Sequence, residues 1–172
     1  GLERVAMLGY VEDGRDLVTM AMNGWGDAEP AWWLNLQASP DTVVDLADGP
    51  RAVRARAHAP YSGFAVGAAV LDEQGRIHAG ANVENAAYPQ GWCAETSALA
   101  LLVAAGGRRV LALAVYAVAQ DPVAPCGGCR QKLREFAADD CPVWLAGPDG
   151  LRAAHSLGAL LPHGFGPHHL PT

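Results

Sequence analysis

The chain has 172 residues, of which 51% are hydrophobic and 17% charged, enough apolar material for a packed core and too little charge for wholesale disorder. Its net charge is -6 and its one lysine is Lys132, so no basic run exists to wrap a nucleic-acid backbone. Four cysteines are too few for a disulfide scaffold, the longest apolar region (99–119) is broken by GGRR at 106–109, and the acidic start GLERVAMLGYVEDGRD does not read as a secretory signal; a reduced, cytoplasmic protein with no membrane span is expected.

The first fifty residues stand apart, holding Trp25, Trp32, Trp33 and half of the 18 acidic residues. RVAMLGYVEDGRDLVTMAM (4–22) reads as strand, turn, strand, with the turn at Glu12 to Arg15. GWGDAEP (24–30) is a loop, and AWWLNLQAS (31–39) is a short helix behind Pro30. The next stretch has two readings that periodicity does not separate. Either TVVDLADGPRAVRARA (42–57) is a second hairpin turning at Asp48-Gly49-Pro50, or RAVRARAHA (51–59) is a helix ended by Pro60.

From Tyr61 the pattern alternates strands with helices. GFAVGAAVLDEQGRIHAGANVENA (63–86) is a hairpin turning at Glu73-Gln74-Gly75. CAETSALALLVAAGG (93–107) is a helix with a glycine stop, and RVLALAVYAVA (109–119) is a strand apolar on both faces. PCGGCRQKLREFAADD (125–140) is a second helix, CPVWLAG (141–147) another buried strand, and LGALLPHGF (157–165) a short helix and tail. Such alternation predicts an α/β fold with helices covering a sheet.

Two short segments carry chemistry. Cys126 and Cys129 of PCGGC fall in the first turn of a helix, where positions three apart share a face and the amide groups and helix dipole favour thiolates. Alone, this C-x-x-C is equally readable as a redox pair. Cys93 also opens a helix, and Glu95 can share its site only over the helix N-terminus. Two helices meeting there bring three thiolates to one zinc and leave its fourth position open, the catalytic rather than the structural pattern. A carboxylate that is not a ligand can then move protons for a zinc-activated water. One ligand, a spacer and Glu, followed by P-C-x-x-C, is the zinc deaminase signature in its all-cysteine form. A structural zinc knot or buried thiols are the bland alternatives. Cys141 reads as core, and His163, His168 and His169 as a solvated tail.

Over residues 51–172 the chain resembles the cytidine deaminase family, through HAPYSGFAVGAAV (58–70), NVENAAYPQGWCAET (82–96), PCGGCRQKL (125–133) and LLPHGF (160–165). The resemblance implies a three-layer α-β-α fold with a mixed sheet. It also implies a homotetramer with sites completed across subunits, and zinc-dependent deamination of cytidine or deoxycytidine in pyrimidine salvage. By that resemblance Cys93, Cys126 and Cys129 hold one zinc per subunit and Glu95 shuttles the proton. Asn82 and Glu84 hold the ribose, Phe64 packs on the pyrimidine, Ala94 offers backbone contacts to the base, and Phe165 reaches a neighbouring subunit's site. Many family members carry arginine where this chain has Thr96, so Arg130, beside Cys129, is expected to compensate the thiolate charge. Another aminopyrimidine nucleoside such as blasticidin S is the alternative substrate.

Largely within residues 1–50, NGWGDAEPAWWLNLQASPDTVVDLADGPRAVRARA (23–57) resembles part of the deazaflavin-dependent nitroreductase family, a split β-barrel. The barrel's first helix and glycine-rich phosphate loop are missing, so residues 1–50 are expected to be a β-rich appendage that binds no deazaflavin.

Overall fold

The computed structural model describes residues 10–13, 16–19 and 49–170. The chain divides into two compact units, residues 1–46 and 47–172. In the first unit, strands β1 (Tyr10–Asp13) and β2 (Asp16–Thr19) form an antiparallel hairpin. Glu12 pairs with Leu17 and Asp13 with Asp16, so Glu12 belongs to the strand and not to the turn the sequence suggested. The helix expected at 31–39 lies outside the described residues.

The second unit begins with helix α1 (Gly49–Arg54), so the hairpin reading of 42–57 is wrong around Pro50. Proline suits a helix start, where its missing N–H leaves no bond unmade. Strands β3 (Val66–Asp72) and β4 (Ile77–Ala81) form the expected hairpin. Helix α2 (Ala94–Ala104), strand β5 (Val110–Ala117), helix α3 (Gly127–Arg134) and strand β6 (Pro142–Gly147) follow. A strand the sequence did not announce, β7 (Gly150–Ser156), precedes helix α4 (Leu157–Leu160). The five strands of this unit run in the order β4-β3-β5-β6-β7; β5 and β6 are parallel and the other pairs antiparallel. This is a mixed sheet in an α/β fold.

Register places the core. Ala68, Val70, Leu113, Val115, Val143 and Leu145 are cross-strand neighbours on one face, all 2% exposed or less. Over them lie Ala94, Ala98, Leu99 and Leu102 of α2, Leu133 of α3 and Leu157 of α4. Gly80 pairs with Ala68 and shares that face. A Cβ on Gly80 would stand 2.4 Å from the Ala98 nitrogen and 2.8 Å from the Ala94 oxygen, so α2 rests directly on the strand. Gly67 points to the opposite face, where its Cβ would fall 1.8 Å from the Pro50 carbonyl oxygen of α1. One helix layer therefore covers each face. Gly106, at φ 84, takes the left-handed conformation that stops α2. Among the described residues no helix is long and apolar enough to cross a membrane.

Asp72 pins the hairpin to the far end of α2. Its fully enclosed carboxylate meets Arg76 Nε at 2.7 Å and His78 Nε2 at 2.8 Å, and accepts from the Gln74 and Arg76 amides. Arg76 Nη1 donates onward to the Ala105 carbonyl at 3.0 Å. Enclosure alone raises the Asp72 pKa; the hydrogen bonds from His78, Arg76 and Gln74 outweigh it and hold the carboxyl far below the usual range. A depressed folded-state pKa means stability that is present above the unfolded value of about 4 and is lost as pH falls toward the folded one. Asp72→Asn is expected to cost about 3–5 kcal/mol at neutral pH. It should also flatten the loss of stability below about pH 4. Urea melts of both proteins across that range check this; parallel acid profiles would sink it.

Candidate metal centre

Cys93 and Cys126 are the N-cap residues of α2 and α3, both in extended backbone (ψ 155 and ψ 163). Neither side chain caps its helix by a hydrogen bond, which leaves both sulfurs free to face outward. Cys129 sits in the first turn of α3 and is 1% exposed. The three Sγ atoms lie within 4.8 Å of one another, and Cys93 and Cys126 are 3.8 Å apart. Tetrahedral zinc–thiolate bonds of about 2.3 Å imply a sulfur–sulfur separation of about 3.8 Å, so the donor set fits zinc with little rearrangement. All four cysteines are free. Cys141 stands apart in the core, where burial pushes its thiol up to about 11.

Glu95 lies in the first turn of α2, 5% exposed, and its Oε2 is 3.5 Å from Cys129 Sγ. Burial pushes its carboxyl pKa up. As free thiols, Cys93 and Cys129 titrate as a pair. The hydrogen bond with Cys129 favours ionisation of Cys93, whereas the hydrogen bond with Cys93 together with burial pushes the Cys129 thiol up. A bound dication reverses this and favours all three thiolates. Thr96, also buried, places Oγ1 3.5 Å from Cys129 Sγ. Arg130 does not hydrogen-bond the sulfurs. Its Nε donates to the Pro125 carbonyl at 2.7 Å and its Nη1 to the Leu160 carbonyl at 2.8 Å, bracing the cysteine loop against the end of α4.

A second group adjoins the metal centre. Val83 and Trp92 exchange both backbone hydrogen bonds at 2.8 Å, which puts segment 82–84 beside the residue preceding Cys93. The Asn82 amide accepts from the Val66 N–H at 2.8 Å and donates to the Phe64 carbonyl at 2.9 Å. Glu84 accepts from the Tyr61 N–H at 2.8 Å, from the Ser62 N–H at 3.2 Å and from the Ser62 hydroxyl. These bonds, the Ser62 hydroxyl foremost, hold its carboxyl below the usual range. Asn82 and Glu84 thus share one face and brace the loop that presents Phe64, whose ring is 42% exposed. Ser62, which also accepts from the Phe64 amide at 2.9 Å, was not singled out from sequence; its hydroxyl within the A-P-Y-S-G-F block was the available signal. The Ala94 methyl is buried in the core at the start of α2. Phe165 is exposed, stacked on His169 at 5.0 Å, and its carbonyl accepts from Gln131 of α3 at 2.8 Å.

The family model for the cytidine and deoxycytidylate deaminase zinc-binding region matches residues 50–145. That for F420H(2)-dependent quinone reductase matches residues 1–63. A cytidine deaminase of Sporosarcina psychrophila is 42% identical over 123 residues, covering 72% of this chain and 90% of that protein. One from Mycobacterium tuberculosis is 42% identical over 117 residues, 68% of this chain and 84% of its own length. The crystal structure of cytidine deaminase from Burkholderia pseudomallei superposes with a TM-score of 0.66 at 41% identity, covering 73% of this chain and 100% of that one.

Proposed function

Since the chain belongs to the cytidine and deoxycytidylate deaminase family, we propose that it hydrolyses cytidine and deoxycytidine to uridine and deoxyuridine with release of ammonia, a step of pyrimidine salvage. The observation that carries this reading is the meeting of three cysteine sulfurs and the buried Glu95 carboxyl at two helix N-termini. Cys93, Cys126 and Cys129 would hold one zinc per subunit, and the ion would supply an activated water. Glu95 makes the proton transfers. Its carboxylate takes a proton from the water that attacks C4, delivers it to N3 of the ring, and then moves the second proton to the departing amine. Water and cytidine give uridine and ammonia without a redox partner.

In this reading Asn82 and Glu84 hold the ribose. Beyond its bonds to residues 64–66 the Asn82 amide keeps one N–H and one lone pair, and ionised Glu84 remains an acceptor for hydroxyls. Phe64 packs on the pyrimidine, and the Ala94 backbone, at the open end of α2, meets the base edge. Phe165 completes a neighbouring subunit's pocket within a homotetramer. Support for that assembly comes from the exposed rings of Tyr61, Phe64, Tyr88 and Trp92, an apolar surface of the kind interfaces cover. Free cysteines fit a reducing, cytoplasmic setting. The catalytic domain is about 51–172, and residues 1–50 are a fused appendage.

The loss of ultraviolet absorbance of cytidine tests the reading, with deoxycytidine and blasticidin S in parallel. Turnover of the two plain nucleosides is expected. A zinc-loaded preparation that turns over neither of them overturns it.

A further inference from the structure

Three thiolates and one divalent zinc carry a formal surplus of one negative charge, and the three sulfurs meet it in different surroundings. Cys126 is exposed to water and Cys93 half-exposed. Cys129 is 1% exposed, so solvent does not reach its sulfur. The charged group next to it in sequence, Arg130, is occupied by the Pro125 and Leu160 carbonyls. Two side chains face the buried sulfur at 3.5 Å, Glu95 and Thr96. A metal-bound thiolate carries no proton and can only accept. While Glu95 is ionised it offers the sulfur nothing to accept, and Thr96 Oγ1–H is then the donor among these contacts.

We propose that Thr96 is a positioning residue of the zinc site: its hydroxyl donates to Cys129 Sγ and offsets, by a charge-assisted hydrogen bond, part of the thiolate charge. The proposal rests on the assignment of Cys93, Cys126 and Cys129 as zinc ligands. Its physical basis is general. Hydrogen bonds to an ionised acceptor are about twice as strong as neutral ones. Groups that bond a metal's ligands typically contribute about 10–100-fold to metal affinity. Thr96 is 8% exposed and lies on the first turn of α2, so its oxygen is held against the sulfur by the same helix that carries Cys93 and Glu95. A branched side chain on a helix has few rotamers, which keeps the donor aimed without further support.

The test uses the full chain and two readouts that do not depend on turnover: zinc transfer to a chromophoric chelator, and melting of the metal-stripped protein. Thr96→Val keeps the shape and removes the donor; it should bind zinc about 10–100-fold more weakly, with a stripped-form melting temperature no lower than wild type. Thr96→Ala should lose zinc to the same extent even if it melts lower. Thr96→Ser restores the donor and should retain zinc within about threefold of wild type. Wild-type zinc affinity in the Val variant overturns the proposal, as does a Ser variant as weak as Val. A wild-type chain that takes up no zinc overturns the ligand assignment and this proposal with it, a result distinct from uptake that is indifferent to Thr96.

Discussion

Glu95→Ala is expected to leave a zinc-loaded protein that deaminates cytidine about 100- to 10,000-fold more slowly than wild type. At about 1.36 kcal/mol per tenfold, that is a loss of roughly 3–5 kcal/mol of transition-state stabilisation. The size follows from the number of transfers that pass through one carboxyl. Glu95 is the acidic residue that reaches the cysteine cluster, and at 5% exposure it has little solvent beside it to replace its protons. The three sulfurs come from the N-cap of α2 and from α3, so their geometry does not depend on the Glu95 side chain. Zinc content should therefore stay near one per chain while turnover collapses. Measuring both on the same sample checks this, and turnover within tenfold of wild type in the variant would remove Glu95 from the mechanism.

Cys129→Ala is expected to abolish zinc retention and activity together and to lower the melting temperature as far as chelation lowers that of wild type. Cys129 contributes the buried sulfur, in direct reach of Thr96 and Glu95 on α2. A metal bound only by the folded state stabilises it in proportion to its occupancy, about 4 kcal/mol at a thousandfold excess over the dissociation constant. Because the ligands must shed protons, retention should also weaken as pH falls. Calorimetric melts with and without chelator measure the effect. A chelator that leaves the wild-type melt unmoved, with zinc verified absent, would mean the ion does not join the two helices energetically.

The chemistry of the site was readable in the chain because it depends on residue type at short spacing. Cys93, Glu95, Cys126 and Cys129 announced themselves in C-A-E and P-C-G-G-C, and the structure brings them to one place. What the sequence concealed depends on partners far away in it. Strand β7, GLRAAHS, has no β-branched or aromatic residue and no apolar alternation; it is an edge strand made by backbone pairing to β6. The Asp48-Gly49-Pro50 punctuation looked like a turn, yet Pro50 starts a helix whose place is set by Gly67 on another strand. Asn82 and Glu84 suggested ligand contacts, and the structure adds that their bonds to residues 61–66 brace the loop that carries Phe64. Thr96 was legible only as an absent arginine; the 3.5 Å approach of its Oγ1 to Cys129 Sγ was not.

The contact between Gly80 and α2 bears on how this chain could change over generations. The residue has no side chain to offer the metal centre. Any larger side chain there pushes against backbone atoms of Ala94 and Ala98, with no flexible tip to yield, and so lifts the helix that delivers Cys93 and Glu95. In a library of all single substitutions screened for survival on cytidine, position 80 should be as barren as the zinc ligands. A ranking by mutational intolerance alone would place a bare hydrogen among the catalytic groups.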